Sequence, residues 1–310
     1  MISISDGSNI PYHVRRLQEE FRKLKIDFQL ITITLGYTHL FKPEEFTLYL
    51  GNREIVDGKI TVENVCFEST MFGFSLPSGC SSLEFSNSIA PPNMANFFDG
   101  KSISNLDLTG LDMSRVINMS CCFRISSGTE VKLTPSSQPF GCISIAWLFQ
   151  GSKYGKITVK IPFANIVDAA YAFSSCKATE INFESSGYSH YYDHLTNCNY
   201  MFYNSENITS LDLSNIRIIG SQYIGFLQSC TSLKTAIINN AITSQFSIAS
   251  NLALKNTDSL EKLYISPTMI VLNSGTVKFR GELDFNNDYA KTYKSAILGD
   301  NNIYTITFKE

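Results

Sequence analysis

An internal repeat of roughly 25 residues constrains this chain more than any other feature. An aromatic or Leu anchor recurs at Phe98, Phe123, Phe149, Phe173, Phe202, Leu227 and Leu254, with successive spacings of 25, 26, 24, 29, 25 and 27. Most anchors are followed by an apolar-x-x-apolar-x-apolar block. Examples are Ile103-x-x-Leu106-x-Leu108, Ala178-x-x-Ile181-x-Phe183, Ile208-x-x-Leu211-x-Leu213, Leu233-x-x-Ala236-x-Ile238 and Leu260-x-x-Leu263-x-Ile265, and Ile303-x-x-Ile306-x-Phe308 repeats the pattern near the C-terminal end. In the copies begun by Phe123 and Phe149 the block arrives late, as Val131-x-Leu133 and Ile157-x-Val159. One such unit cannot bury its own apolar face. Neighbours must therefore stack into a solenoid, each block forming a rung of a parallel sheet and the anchors lining the opposite wall. Cys176, Ser205 and Cys230 each stand three residues after an anchor, where a small side chain suits a tight interior turn.

Composition agrees with this architecture. The chain holds 38 Ser and 24 Asn, charged residues make up only 17%, and just 22 charges fall between Glu84 and Lys255. Asn and Ser side chains bond the backbone at the bends that every coil needs, and in register they form polar ladders. The net charge of -3 excludes a nucleic-acid binder that works by neutralising phosphates, and a basic membrane-surface protein. No apolar run approaches the roughly 20 residues that cross a bilayer. The first residues lack the basic and apolar regions of a secretory signal, so the expectation is a protein that does not leave its cell by that route. The eight cysteines include no C-x-x-C pair and no tight Cys/His group of zinc type, and are expected to be reduced, buried small residues.

Three regions follow. Residues 1–70 read as an α+β docking module, with an amphipathic helix over Tyr12–Leu24 and strands at Phe28–Leu35, Phe46–Leu50 and Lys59–Val62. Residues 71–270 are the solenoid. Residues 271–310 read as a β cap over its open end. The fold class is thus α/β, a leucine-rich-repeat-like solenoid with a parallel sheet behind a small α+β module.

Several stretches carry a family resemblance. They are Asn93-Met-Ala-Asn-Phe-Phe98, Asn105-Leu-Asp-Leu-Thr-Gly-Leu-Asp-Met-Ser-Arg-Val116, Asn118-Met119, and Met201-Phe202 followed by Ser210-Leu-Asp-Leu-Ser-Asn215. They resemble the BspA-type leucine-rich repeats, approximately N-M-x-x-M-F-x-x-C-x-x-L-x-x-L-D-L-S-x-F-D, over residues of about 80–270. The resemblance implies an arc-shaped solenoid and relatives that are mostly surface adhesins and host-interaction proteins. This chain departs from them in its irregular repeat lengths. A second resemblance covers residues 46–85, in Leu48-Tyr-Leu-Gly-Asn-Arg-Glu-Ile55, Val65-Cys-Phe-Glu-Ser-Thr70, Phe72-Gly-Phe74 and Leu83-Glu-Phe85. It is similar to the short β-modules with which tailed-phage virion proteins begin.

Chemistry-bearing groups are few. His190-Tyr-Tyr-Asp193-His194 would put His190, Asp193 and His194 on one face of a helix, but the glutamate of H-E-x-x-H and a third strong ligand are missing, so no metal site is assigned. This segment lies in the longest repeat and reads as an inserted loop. Its residues Tyr188, His190, Tyr191, Tyr192 and His194, with Tyr200 and Tyr203, form a candidate aromatic binding loop for protein or sugar; packing of a bulge onto the sheet is the alternative. Trp147, two residues before an anchor, reads as core. His13 and His39 have no evident partner. Asn118-Met-Ser120 and Asn207-Ile-Thr209 match the glycosylation pattern but fall where the repeat expects Asn and Ser anyway. There is no G-x-S-x-G, no phosphate loop and no ordered nucleophile–base set, so no catalytic residue and no cofactor is expected.

The functional expectation is a non-enzymatic binding or structural protein that uses its solenoid for protein or cell-surface recognition. It is placed in a phage virion, as a tail or head-decorating component. Its partners would be other protein subunits of a virion or surface assembly, or a host-surface glycan or protein, with oligomeric state open. The alternatives are a bacterial cell-surface adhesin of the BspA-like type, and a metal-dependent enzyme centred on His190 and His194.

Overall fold

A computed structural model describes residues 36–139, 141–163, 165–185, 195–216, 218, 222–238, 257, 259 and 260, together with the backbone of four further strands within 262–306. Extended segments repeat once or twice per coil. In chain order they are β1 (Thr38–Leu40), β2 (Lys59–Glu63), β3 (Val65–Phe67), β4 (Ser82–Ser86), β5 (Ser88–Ile89), β6 (Asn105–Asp107), β7 (Leu111–Asp112), β8 (Ser127–Leu133), β9 (Lys153–Val159), β10 (Glu180–Phe183), β11 (Ser210–Asp212), β12 (Thr235–Ile237), β13 (Lys262–Tyr264), β14 (Glu282–Asp284), β15 (Ala296–Leu298) and β16 (Tyr304–Ile306). One helix, α1 (Pro43–Gly51), is present among the described residues.

The strands form parallel ladders between successive coils. One sheet runs β2-β4-β6-β8-β9-β10, a second β1-β3-β5-β7 and a third β11-β12-β13-β14. A further column of parallel bridges joins Asn93, Asn118, Ser144, Asp168, Asn197 and Gln222. The molecule is therefore a β-solenoid, mostly parallel sheet. The register places Ile60, Leu83, Leu106, Val131, Ile157 and Ile181 in one column, and all are buried. The late blocks of the Phe123 and Phe149 copies thus fall back into line at Val131 and Ile157.

Opposite the sheet stands the anchor column. Phe98 stacks on Phe123 (5.3 Å between ring centres), Phe123 on Phe149 (4.7 Å), Phe149 on Phe173 (5.4 Å) and Phe173 on Phe202 (5.3 Å), with interplanar angles of 5–19°. The interior turn after each anchor holds Ser126, Ser152, Cys176, Ser205 and Cys230, all buried. Three of them donate to main-chain carbonyls: Ser126 Oγ to Phe123 O at 2.5 Å, Ser205 Oγ to Phe173 O at 2.5 Å and Cys230 Sγ to Phe202 O at 3.0 Å. At Ser205 and Cys230 the small side chain is needed because the backbone of the preceding coil lies against it.

Asn, Asp and Ser make the bends. The side chains of Asn93, Asp107, Asp112, Asn118, Asp168, Asn197 and Asp212 each accept from the backbone N–H two residues on. These Asx-turns satisfy donors that a solenoid corner would otherwise leave unpaired. Hydroxyls pair in register between coils at Ser102–Ser127 (2.9 Å), Thr109–Thr134 (2.8 Å) and Ser120–Ser144 (2.8 Å). Between β10 and β11 the sheet is interrupted, and side chains take over. Asn215 Nδ2 donates to Phe183 O at 2.7 Å and Asn207 Nδ2 to Lys177 O at 3.0 Å. The Asn207 amide is thus occupied in joining coils.

The front of the chain differs from its sequence reading in two respects. Phe46–Leu50 is helical, not a strand. Pro43 opens α1, and the Glu45 carboxylate accepts from the backbone N–H groups of Phe41 (2.5 Å) and Lys42 (3.0 Å). Phe46 and Leu50 are four apart and fully buried, whereas Leu48 between them is exposed. The alternation that suggested a strand therefore coincides with one helical i, i+4 pair. In addition, the parallel ladders run through residue 70: β1 pairs with β3 and β2 with β4, so coils begin by Thr38. Helix α1 covers their core, with Phe46 packed edge-on against Phe67 at 5.0 Å.

Near the C-terminal end, β14 continues the parallel ladder, with Leu283 in register with Leu263. Within the block that begins at Ile303, the described strand β16 pairs antiparallel with β15. The expected helix 12–24, the strand 28–35 and Leu254 lie outside the described residues.

Candidate functional site

Each coil turns sharply on both sides of its anchor, and it does so with left-handed residues. Two residues before the anchor stand Asn96 (φ 60), Cys121 (58), Trp147 (55), Tyr171 (57), Tyr200 (55) and Gly225 (60). Two residues after it stand Gly100, Ile125, Gly151, Ser175, Asn204 and Ser229, also at positive φ. Gly and Asn are the inexpensive residues for this conformation, whereas bulky side chains strain it. Ile125, Trp147, Tyr171 and Tyr200 are thus unexpected occupants.

Three of them form a ladder on the outer wall. Trp147 stacks on Tyr171 with ring centres 6.0 Å apart and Tyr171 on Tyr200 at 5.0 Å. Trp147 is 40% exposed, so the expectation that it is core is corrected. Its left-handed backbone swings the side chain outward while Leu148 and Phe149 turn in. The far face of the Tyr200 ring lies over Gly225, where an added Cβ would come within 2.5 Å of ring carbons. Four residues before this column stand Ile117, Ile143 and Val167, and four residues after Cys121 stands Ile125; all four are about half exposed, as is Ile224 beside Gly225. The outcome is an apolar outer wall of aromatic edges and branched aliphatic side chains.

Of the aromatic loop expected from the sequence, Tyr200 and Tyr203 are brought together edge to face at 5.5 Å, each partly buried. Tyr188, His190, Tyr191, Tyr192 and His194 lie outside the described residues. Trp147, Tyr171 and the Ile column were missed. Their signal was available in the repeat itself: Trp147, Tyr171 and Tyr200 occupy the same position two residues before three successive anchors.

The opposite face, on the sheet, carries paired charges. Lys59 bonds Glu84 at 2.6 Å, Lys132 lies between Asp107 (3.6 Å) and Glu130 (3.9 Å), and Lys156 between Glu130 (3.9 Å) and Glu180 (3.3 Å). Lys59, Glu84, Asp107, Glu130 and Lys132 border an open depression of ≈ 460 Å³. Burial pushes the Asp107 carboxyl up, but the hydroxyl and N–H of Thr109 and the Lys132 ammonium outweigh it, and its pKa falls below the usual value. The Asn182 amide, followed by Lys156, holds Glu180 low in the same direction. Each of these lysines meets an acid of a neighbouring coil, so this face largely neutralises itself and favours neither a polyanion nor a polycation.

The eight cysteines are free. Burial pushes the thiols of Cys142, Cys176 and Cys230 up to about 12, which makes them poor nucleophiles. Among the described residues one group combines His, Cys and Glu: His39, Cys66 and Glu68.

In class, the chain is a parallel β-solenoid with an aromatic outer wall. No family model, no curated protein and no solved structure matches it.

Proposed function

We propose that this protein is a non-enzymatic recognition solenoid of the leucine-rich-repeat-like type whose outer wall docks a protein partner. The observation that carries this is the placement of Trp147, Tyr171 and Tyr200 at left-handed positions facing out. Three bulky residues in that conformation cost roughly 3–6 kcal/mol at about 1–2 each. The two ring pairs return roughly 1–3 kcal/mol. The same position holds Asn96 and Gly225 in other coils, so folding alone has less strained residues available. An outward ladder that folding does not need is accounted for by contact with a partner.

The geometry favours protein over sugar. Four ring faces are covered by one another and Tyr200 meets Gly225, so apart from the outer face of Trp147 the wall presents edges and flanking aliphatics rather than the open faces on which a sugar ring stacks. Within this reading the assembly is a phage virion, supported by the second resemblance. That resemblance now rests on residues 52–85, because Leu48–Leu50 belongs to α1. A bacterial surface adhesin is the alternative, supported by the BspA-like stretches.

The test is assembly. The full chain and a Trp147→Asn/Tyr171→Asn/Tyr200→Asn variant are expressed in the producing cell, and particles and envelopes are fractionated. The proposal expects the wild type to sediment with particles and the folded variant to remain free. A wild-type protein that stays free and monomeric in every fraction overturns it; recovery in the envelope selects the adhesin reading.

A further inference from the structure

The first two coils bring together three side chains that are far apart in the chain. β1 and β3 pair with His39 opposite Cys66, and Glu68 follows two residues later on the same side. His39 Nδ1 lies 3.5 Å from Glu68 Oε1, Cys66 Sγ lies 3.5 Å from the same oxygen, and the three ligand atoms all fall within 4.8 Å of one another. Cys66 is fully buried, and the side chains of His39 and Glu68 are only 11% and 13% exposed.

As a hydrogen-bonded group this arrangement is poor. The His39–Glu68 contact is longer than the usual N–H···O range of about 2.7–3.2 Å, while Cys66 Sγ donates to Glu68 Oε1 at 3.5 Å, an ordinary distance for a sulfur donor. His39 Nε2 is buried without a partner among the described residues. A largely buried carboxylate whose only hydrogen bond in this group comes from a weak thiol donor is costly. As a ligand set it is good. Zinc bonds of about 2.0 Å to N, 2.1 Å to O and 2.3 Å to S at a tetrahedral angle put N and O about 3.4 Å apart, and S and O about 3.6 Å apart. The two observed separations lie within about 0.1 Å of these. Closing the third edge takes a side-chain rotation.

Arg115 completes the surroundings. Its Nε donates to Ala90 O at 2.6 Å, and Nη2 reaches Phe67 O and lies 3.4 Å from Cys66 Sγ. The guanidinium is fixed by carbonyls beside the Cys66 thiol, which burial pushes up to about 11 despite it, so a bound ion itself displaces the thiol proton.

We propose that His39 Nδ1, Cys66 Sγ and Glu68 bind one Zn²⁺, with a fourth position left for water or another donor. Imidazole, thiolate and carboxylate together suit a borderline ion rather than Mg²⁺ or Ca²⁺. The site would pin the first two coils together through side chains.

Co²⁺ serves as the spectroscopic probe on the full chain. One equivalent is expected to give a thiolate-to-cobalt charge-transfer band with the intense visible bands of a tetrahedral ion, displaced by one equivalent of Zn²⁺. Cys66→Ser removes the charge-transfer band. His39→Gln and Glu68→Gln, close in shape to the originals, weaken Co²⁺ binding at least ~10-fold while circular dichroism stays unchanged. These two variants keep the test decisive if Cys66→Ser does not fold. Absence of a band in the wild type, a band that survives Cys66→Ser, or unchanged affinity in both His39→Gln and Glu68→Gln overturns the proposal.

Discussion

Phe123 and Phe149 lie face to face, 4.7 Å apart and 8° from parallel, although a complete coil separates them in the chain. This is the closest pair in a column that ends where Leu227 replaces Phe. Phe149→Ala uncovers one face each of Phe123 and Phe173 and opens a cavity, and should cost roughly 3–5 kcal/mol; Phe149→Leu, which copies Leu227, should cost roughly 1–1.5 kcal/mol. Urea denaturation of the two variants measures the difference, and equal losses would show that ring stacking is not what the column contributes.

Ile125 is a β-branched residue at φ 48, half exposed, in a column that elsewhere accepts Gly100 and Gly151. Ile125→Gly relieves that strain and gives up some apolar contact, for an expected net gain of about 0.5–1 kcal/mol. A lower melting temperature would mean that its packing over the neighbouring coils outweighs the strain.

Gly225 tests the aromatic wall from the side. Gly225→Ala puts a Cβ into the Tyr200 ring and an L-residue at φ 60. The expected loss is roughly 1–3 kcal/mol, accompanied by a shift of the Tyr200 ring resonances in NMR. Unchanged Tyr200 resonances would place the ring elsewhere.

Asp107 links stability to pH. Its folded pKa is lowered, so its contribution is present above the unfolded value near 4 and is lost as pH falls through the folded value. Asp107→Asn should therefore be less stable than wild type at neutral pH, by about 0.3–1 kcal/mol after allowing for partial exposure, and equal to it once both are uncharged. A difference independent of pH would assign the effect to the turn at Thr109 rather than to charge.

Cys142, Cys176 and Cys230, with thiols pushed up to about 12 and side chains buried, should resist iodoacetamide in the native protein at mildly alkaline pH and react fully in denaturant. Mass mapping of the labelled residues checks this. Rapid native labelling of Cys176 would contradict an interior-turn role.

Much of the fold was legible because a solenoid is nearly one-dimensional. The anchors, the blocks around Leu106, Ile181 and Leu211, and the small residues Cys176, Ser205 and Cys230 three positions after their anchors are local patterns, and stacking fixes their neighbours. Phe46–Leu50 was misread because Phe46 and Leu50 satisfy both periods, and the choice fell to Pro43, Glu45 and the phenyl rings of Phe67 and Phe74. Trp147 was misread because hydrophobicity says nothing about backbone handedness. Only the folded coil shows that the position two residues before an anchor points out.

By itself, the sequence determined that the chain coils, at what period, and which side chains turn inward, since apolar spacing and turn chemistry are properties of one coil. The tertiary structure alone decided what meets across coils: Trp147 with Tyr171 and Tyr200, and His39 with Cys66 and Glu68. Those meetings depend on register between strands roughly 25 residues apart, and register is set by how whole coils stack.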